Sequence, residues 1–170
     1  QDISEIFKQL DDEPFAAASI AQVYGAVLHD DKKVIVKVLR PKIERIIRRD
    51  IDIMYTIAYL TERYWKPGKR LRPKEVVHEF EKTIFDELDL VREAANASQL
   101  RRNFLNSKQL YVPEIIWPYT RETVMVMERI SGIPVGDLDT LREHNIDMKL
   151  LGEQGVEIFF TQVFRDNFFH

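Results

Sequence analysis

The chain contains no cysteine, which excludes a disulfide framework and zinc–thiolate sites and fits a reducing compartment. It has no uninterrupted apolar run approaching the ~20 residues that a membrane-spanning helix needs. Its first residues, Gln1-Asp2-Ile3-Ser4-Glu5, lack the layout of a signal peptide, so these residues are expected to form a soluble piece. There is no excess of positive charge and no basic block: 25 Lys and Arg against 28 Asp and Glu give a net charge of −3 and a pI near 5.9. That balance argues against nucleic acid as the main partner. What remains is an ordinary globular mixture, 45% hydrophobic and 31% charged over 170 residues, long enough to bury one core.

The stretch from Pro14 to Arg40 organises the rest. Its apolar segment Val34–Leu39 carries one lysine, Lys37, and strand alternation puts Ile35, Lys37 and Leu39 on one face. A cation in such a segment needs a partner, because an unpaired buried ammonium is costly. Upstream, Ala16-x-Ala18-x-x-Ala21-x-Val23 has the spacing of the protein-kinase glycine-rich loop G-x-G-x-x-G-x-V, with alanine at every glycine position. Tyr24–Leu28, the polar turn His29–Lys33 and Val34–Lys37 then read as a hairpin ending in the V-A-I-K strand of that fold. Alanine's Cβ penalises the positive φ that glycine adopts freely, so this loop is expected to be stiffer, to favour helical turns and to sit differently over a nucleotide. Taken alone, Ala16–Ala21 reads as a small-residue packing segment. Lys37 at the right distance downstream is what turns the reading towards nucleotide contact.

The segments A-A-A-S-I-A-Q-V (Ala16–Val23), V-I-V-K-V-L-R-P (Val34–Pro41) and E-L-D-L-V-R-E-A-A-N (Glu87–Asn96) resemble the UbiB family of atypical, protein-kinase-like proteins. The resemblance runs over nearly the whole chain. M-V-M-E-R-I-S-G-I-P-V (Met125–Val135) and F-F-T-Q-V-F-R-D-N-F-F-H (Phe159–His170) are similar to its bacterial ubiquinone-biosynthesis branch. The resemblance implies an α+β fold: a protein-kinase-like small lobe, with a twisted antiparallel sheet packed on two long helices, and the first helices of an incomplete large lobe. The small lobe would span 1–130, with an inserted helix over 41–65 and a helix-C equivalent over 73–105, and the hinge and opening of the large lobe would span 131–170. It also implies ATP as ligand, with Mg²⁺ ligands beyond residue 170. Nucleotide contacts would come from Ala16, Ala17, Ala18, Ser19, Ile20, Ala21, Gln22, Val23, Ile35 and Lys37, with Glu93 as the helix-C glutamate that pairs with Lys37. Glu87 and Asp89 would form an E-x-D pair, whose usual counterpart, a K-x-G-Q segment, is not found in this chain. Members are thought to be restrained from ordinary protein-kinase activity by the alanine loop. For the parent protein the resemblance implies the cytoplasmic side of the bacterial inner membrane, with membrane-spanning helices near its C-terminus. Its partners would be ATP and ADP, lipid quinone precursors, the membrane surface and other ubiquinone-biosynthesis proteins.

Residues 1–13 carry Ile3, Ile6, Phe7 and Leu10 at helical spacing and predict a short amphipathic helix ending in Asp11-Asp12-Glu13. Pro41 suits the first turn of a helix whose apolar stripe includes Ile43, Ile47, Ile51, Met54 and Ala58, with Arg45, Arg48 and Arg49 opposite. That arginine cluster reads as a solvated face or as a contact with anionic lipid. Pro73 opens a second long helix running towards Phe104. On one continuous helix Asp89 and Glu93 are neighbours, and Glu87 points about a third of a turn away. For Glu87 and Asp89 an ordinary charged helix face explains as much as a site does.

Leu110–Pro113 and Thr123–Met127 read as the next two strands. In a kinase-like lobe the end of the second is the hinge, with Met127 near the gatekeeper position and the backbone of Glu128 and Ile130 at the adenine edge. A core strand followed by an ordinary loop predicts the same residues. Asp137 then caps a short helix and Met148–Arg165 forms a strongly apolar one, whose uncovered face would favour association. The chain starts without methionine and stops in mid-pattern, so it reads as an excised piece, with His170 where the family's H-A-D-x-H-P-G-N loop would begin. The aspartate and metal ligands of phosphoryl transfer do not occur here, so the piece alone is expected to be inactive and to bind nucleotide weakly. Two alternatives stand beside an ATP-using enzyme: a pseudokinase-like scaffold for biosynthetic partners, and an α+β interaction domain without a nucleotide site, in which Lys37 and Glu93 would lie apart.

Overall fold

A computed structural model describes residues 2–65 and 67–168. His170, read as the start of a catalytic loop, lies outside them. A single-turn helix α1 (Ile3–Ile6), capped by the Asp2 carboxylate, leads into strand β1 (Phe7–Leu10). A short strand β2 (Ala16–Ala17) precedes the central hairpin of β3 (Ala21–Leu28) and β4 (Lys33–Leu39). Asp31 closes the hairpin turn at φ 65° and donates its N–H to the Leu28 carbonyl. Strand β5 (Val124–Glu128) pairs with the far side of β4, giving an antiparallel order β1-β3-β4-β5 with β2 also on β3.

The register aligns Val23, Lys37 and Met125 across the three central strands. Alternation then divides the sheet into two faces. Ala26, Leu28, Val34, Val36 and Val126 are buried on one, under Phe7, Leu10 and Tyr119. Ala21, Leu39 and Met125 are buried on the other, against Leu90, Ala94 and Ile115. Lys37 belongs to this second face.

The helices follow β4. Helix α2 (Ile43–Tyr64) packs along α4 (Pro73–Asp86) through Ile51, Ala58 and Val77, with a short α3 (Gly68–Leu71) between them. Helix α5 (Leu90–Asn103) covers the sheet. After β5 come α6 (Leu138–Glu143), capped by Asp137, and α7 (Met148–Phe160), which widens into a π turn over Thr161–Arg165. Arg165 ties that segment back to the end of α5, donating to the Asn103 carbonyl at 3.0 Å and lying 5.1 Å from the Phe104 ring centroid. Leu150, Val156, Phe159, Phe160 and Phe164 are exposed, as the apolar pattern without a covering layer led one to expect. No helix among the described residues is long and apolar enough to cross a membrane.

The structure corrects several sequence-based expectations. Residues 7–10 are a strand rather than the end of a helix: only Ile3–Ile6 coil, and Phe7–Leu10 gain more by pairing with β3. Phe7 and Leu10 still reach the core because a register shift between Phe7 and Gln9 brings both to the same side. Leu110–Pro113 is not a strand. Pro113 has no N–H to donate and the Val112 carbonyl is taken by Arg101 at 2.6 Å, so pairing with β5 begins only at Glu114–Ile116. The span 73–105 is two helices, not one continuous helix-C equivalent, broken at Glu87–Asp89 without glycine or proline. Asp89 competes with the helix by turning its carboxylate onto the N–H groups of Val91 and Arg92, at 2.9 and 3.1 Å. The Leu90 N–H leaves the helical ladder for the Glu122 carbonyl at 3.0 Å. Asp89→Ala is therefore expected to cost about 1 kcal/mol of stability, read as a shift in the urea midpoint, and Asp89→Asn much less.

Candidate functional site

Lys37 projects from the middle of β4, and the new start of α5 sets Glu93 one turn inside that helix. The two side chains meet. Lys37 Nζ donates to both carboxylate oxygens of Glu93, at 2.6 and 2.7 Å, and each side chain stays about a quarter to a third exposed (25% and 32%). A pair that is half sheltered and bidentate is held more firmly than an open surface ion pair, and the lysine end remains reachable from solvent.

The pair lies at a cavity of about 390 Å³ whose walls also include Ile20, Thr83, Asp86, Glu87, Arg92 and Asn96. Arg92 forms an ion pair with Asp86, so two cations, each beside a carboxylate, line one cleft. Glu87 faces this cavity, whereas Asp89 is spent on capping α5. Of the two members of the E-x-D pair, Glu87 is thus a cavity wall residue and Asp89 the N-cap of α5.

The alanine segment is neither a helical turn nor a loop at positive φ. Ala16 and Ala17 pair with Val23 and Gln22, and Ala18 donates to the Ala21 carbonyl at 2.9 Å around Ser19 and Ile20. No residue from Ala16 to Ala21 has a positive φ, so this hairpin has no position that requires glycine. Sequence reasoning missed what holds its tip. Arg40, directly after β4, donates through Nε and Nη2 to the Ala18 carbonyl at 3.2 and 3.1 Å, and its N–H reaches the Ile20 carbonyl at 2.9 Å. Ile20 looks into the cavity and Val23 stands beside Lys37. Ala21 is packed in the core under Leu90 and Ala94, and Gln22, opposite Val38, lies on the other face. Ala16, Ala17, Ala18 and Ser19 are exposed.

At the far end of the same face, Met127 pairs with Ile35, two positions along from Lys37 and Met125. The N–H of Glu128 is bonded to the Glu114 carbonyl at 2.9 Å and is therefore not offered to a ligand; Ile130 is exposed. The Glu128 carboxylate accepts from Tyr111 Oη at 2.6 Å and from the Glu114 N–H at 3.2 Å. The Tyr111 bond is the main reason its pKa lies below the ordinary glutamate value; the Glu114 N–H and the charges of Lys32 and Arg101 act in the same direction. A depressed folded-state pKa stabilises the fold above the ordinary glutamate range, and that contribution is lost as pH falls through the folded value. Tyr111→Phe is expected to raise the Glu128 pKa and shift acid unfolding to higher pH, measured by NMR titration and by the acid midpoint. An unchanged Glu128 titration would show that the hydroxyl does not carry the shift. Among the described residues no group of three or more His, Asp or Glu is placed to hold a metal ion.

Comparison with known proteins places this geometry in a family. The chain is 58% identical to the probable protein kinase UbiB of Marinobacter nauticus over 168 residues, covering 99% of this chain and 31% of that protein. It is 57% identical to the probable protein kinase UbiB of Cellvibrio japonicus, covering 99% of this chain and 30% of that one. The chain thus spans about a third of the length of these relatives. The Mycobacterium tuberculosis protein Rv3197, solved in complex with erythromycin, has the same fold over 79% of this chain and 33% of its own, with a TM-score of 0.62 and 29% identity. The ABC1 atypical kinase-like domain matches residues 1–170, and the chain belongs to that family.

Proposed function

We propose that the intact protein is an ATP-using atypical kinase or ATPase that supports ubiquinone biosynthesis, and that this chain supplies the nucleotide-binding lobe. The observation that carries the reading is the bidentate Lys37–Glu93 pair in the wall of a cavity that Ile20 of the alanine hairpin also lines. Lys37 is suited to hold the α and β phosphates, with Glu93 fixing its position. Ile20 and Val23 form the roof over the phosphates, and Ile35, Met127 and Ile130, with the Glu128 carbonyl, form the base end. The lining offers a nucleotide two cations for phosphate, Lys37 and Arg92, beside the carboxylates Glu93, Asp86 and Glu87, with an apolar strip leading away from them.

Mg²⁺ would travel with the phosphates and neutralise charge there, with protein ligands from outside the described residues. Residues 131–168 are read as the hinge and the opening of a second lobe, which would bring the aspartate that orients the nucleophile. Quinone precursors, a membrane surface and a cytoplasmic location at the bacterial inner membrane belong to this proposal through the family resemblance alone. The piece by itself is expected not to turn ATP over. The test is steady-state ATP hydrolysis by the intact protein with and without Mg²⁺. Mg²⁺-dependent turnover supports the reading, and its absence in the presence of candidate quinone precursors would sink it in favour of a scaffold.

A further inference from the structure

Gly25 is a buried glycine in the middle of β3, opposite Ile35 and on the same face as Lys37. Its burial needs explaining, since it lies beyond the cover of α5. Two side chains fill the space. A Cβ on Gly25 would run into the Asp11 carboxylate at less than any real contact distance, and would meet Arg129 Nη1 at 3.0 Å. Asp11 is fixed in register by its N–H on the Gly25 carbonyl, at 2.9 Å. Arg129, between Glu128 and Ile130 at the hinge, is fixed by its N–H on the Lys33 carbonyl at 3.1 Å. Its guanidinium then lies 5.8 Å from the ring centroid of Phe15, the residue immediately before Ala16, whose own N–H is bonded to the Val23 carbonyl at 3.1 Å.

The Arg129 side chain therefore reaches from the end of β5 over β4 to Gly25 on β3, two strand spacings or about 10 Å, and its guanidinium there faces Phe15 at the stem of the alanine hairpin. Gly25 is what leaves the crossing open. We propose that Arg129, lying over Gly25 and against the Phe15 ring, is a positioning residue that straps the alanine hairpin to the hinge at the base end of the nucleotide cleft and sets how long a nucleotide stays bound. This rests on the nucleotide reading above. The alanine hairpin is held at two points, by Arg40 at its tip and by Arg129 at its stem. A ligand that enters beneath the stem has to wait for the strap to lift.

The experiment is stopped-flow release of a fluorescent ADP analogue from the intact protein and its Arg129→Ala, Arg129→Lys and Gly25→Ala variants. Arg129→Ala is expected to release it about fivefold faster, the equivalent of one exposed cation–π contact. Arg129→Lys should fall between, because it keeps the charge over the ring. Gly25→Ala should match Arg129→Ala, and added salt should hasten release from the wild type but not from Arg129→Ala. Equal release rates for wild type and Arg129→Ala would overturn the strap. If the wild type binds no ADP, the nucleotide reading fails by itself, and amide exchange then judges the strap. Phe15 and Asp11 should exchange faster in Arg129→Ala, and unchanged exchange would overturn it.

Discussion

Replacing Lys37 with alanine is expected to abolish measurable ATP turnover by the intact protein, a loss of at least about 100-fold, the scale of removing one preorganised charge from a phosphoryl-transfer site. The ammonium is the one group on β4 that combines a fixed partner with access to the cavity. Its removal also leaves Glu93 facing the phosphates with an uncompensated negative charge, so nucleotide binding should weaken along with turnover. Glu93→Gln should give the same sign with a smaller loss, because Lys37 remains charged but loses its anchor. If Lys37→Ala turned over ATP at the wild-type rate, this cleft would not be the site of the chemistry.

The largest effect on stability is expected at Leu90. Its side chain is completely buried, the first residue of α5, set between the sheet residues Ala21, Leu39 and Met125. Leu90→Ala should cost about 3 kcal/mol, from lost transfer energy and the cavity left behind, and lower Tm by about 10 °C in a chain of this size. It should also weaken nucleotide binding, because Glu93 sits one turn further along the helix that Leu90 seats. Leu90→Met conserves volume and should keep most of both properties. A Leu90→Ala protein with an unchanged melting temperature would mean that α5 is seated by something other than this contact.

These two residues show what could be read from the sequence and what could not. Lys37 was legible because a charge in a β-branched run breaks a local rule, and local rules fail mostly at functional positions. Glu93 followed from the need for a counter-charge, together with the family resemblance. The break before α5 was not legible: the apolar period runs through Leu88 and Leu90, and nothing in the composition says that the Asp89 side chain will take the backbone donors. The consequence was large, since it made Asp89 the N-cap of α5. In the alanine segment, composition correctly excluded a positive-φ loop but suggested helix, whereas pairing with β3 imposed an extended hairpin. Strand pairing depends on partners distant in the chain, and propensity is a weak guide there. The Arg129 strap was hidden for the same reason. Asp11, Gly25 and Arg129 carry no common motif, and only the register of β1, β3, β4 and β5 across the sheet brings them together.

The central claim is that the Lys37–Glu93 pair marks a nucleotide site. The most direct test is calorimetric titration of ATP and of ADP with Mg²⁺ into the intact protein, alongside its Lys37→Ala variant. The account predicts saturable binding of one nucleotide per chain that disappears in Lys37→Ala, while the variant's melting temperature stays near that of the wild type. Binding that survives in Lys37→Ala would place the nucleotide elsewhere, and no binding in either protein would leave a kinase-shaped fold whose ion pair is structural.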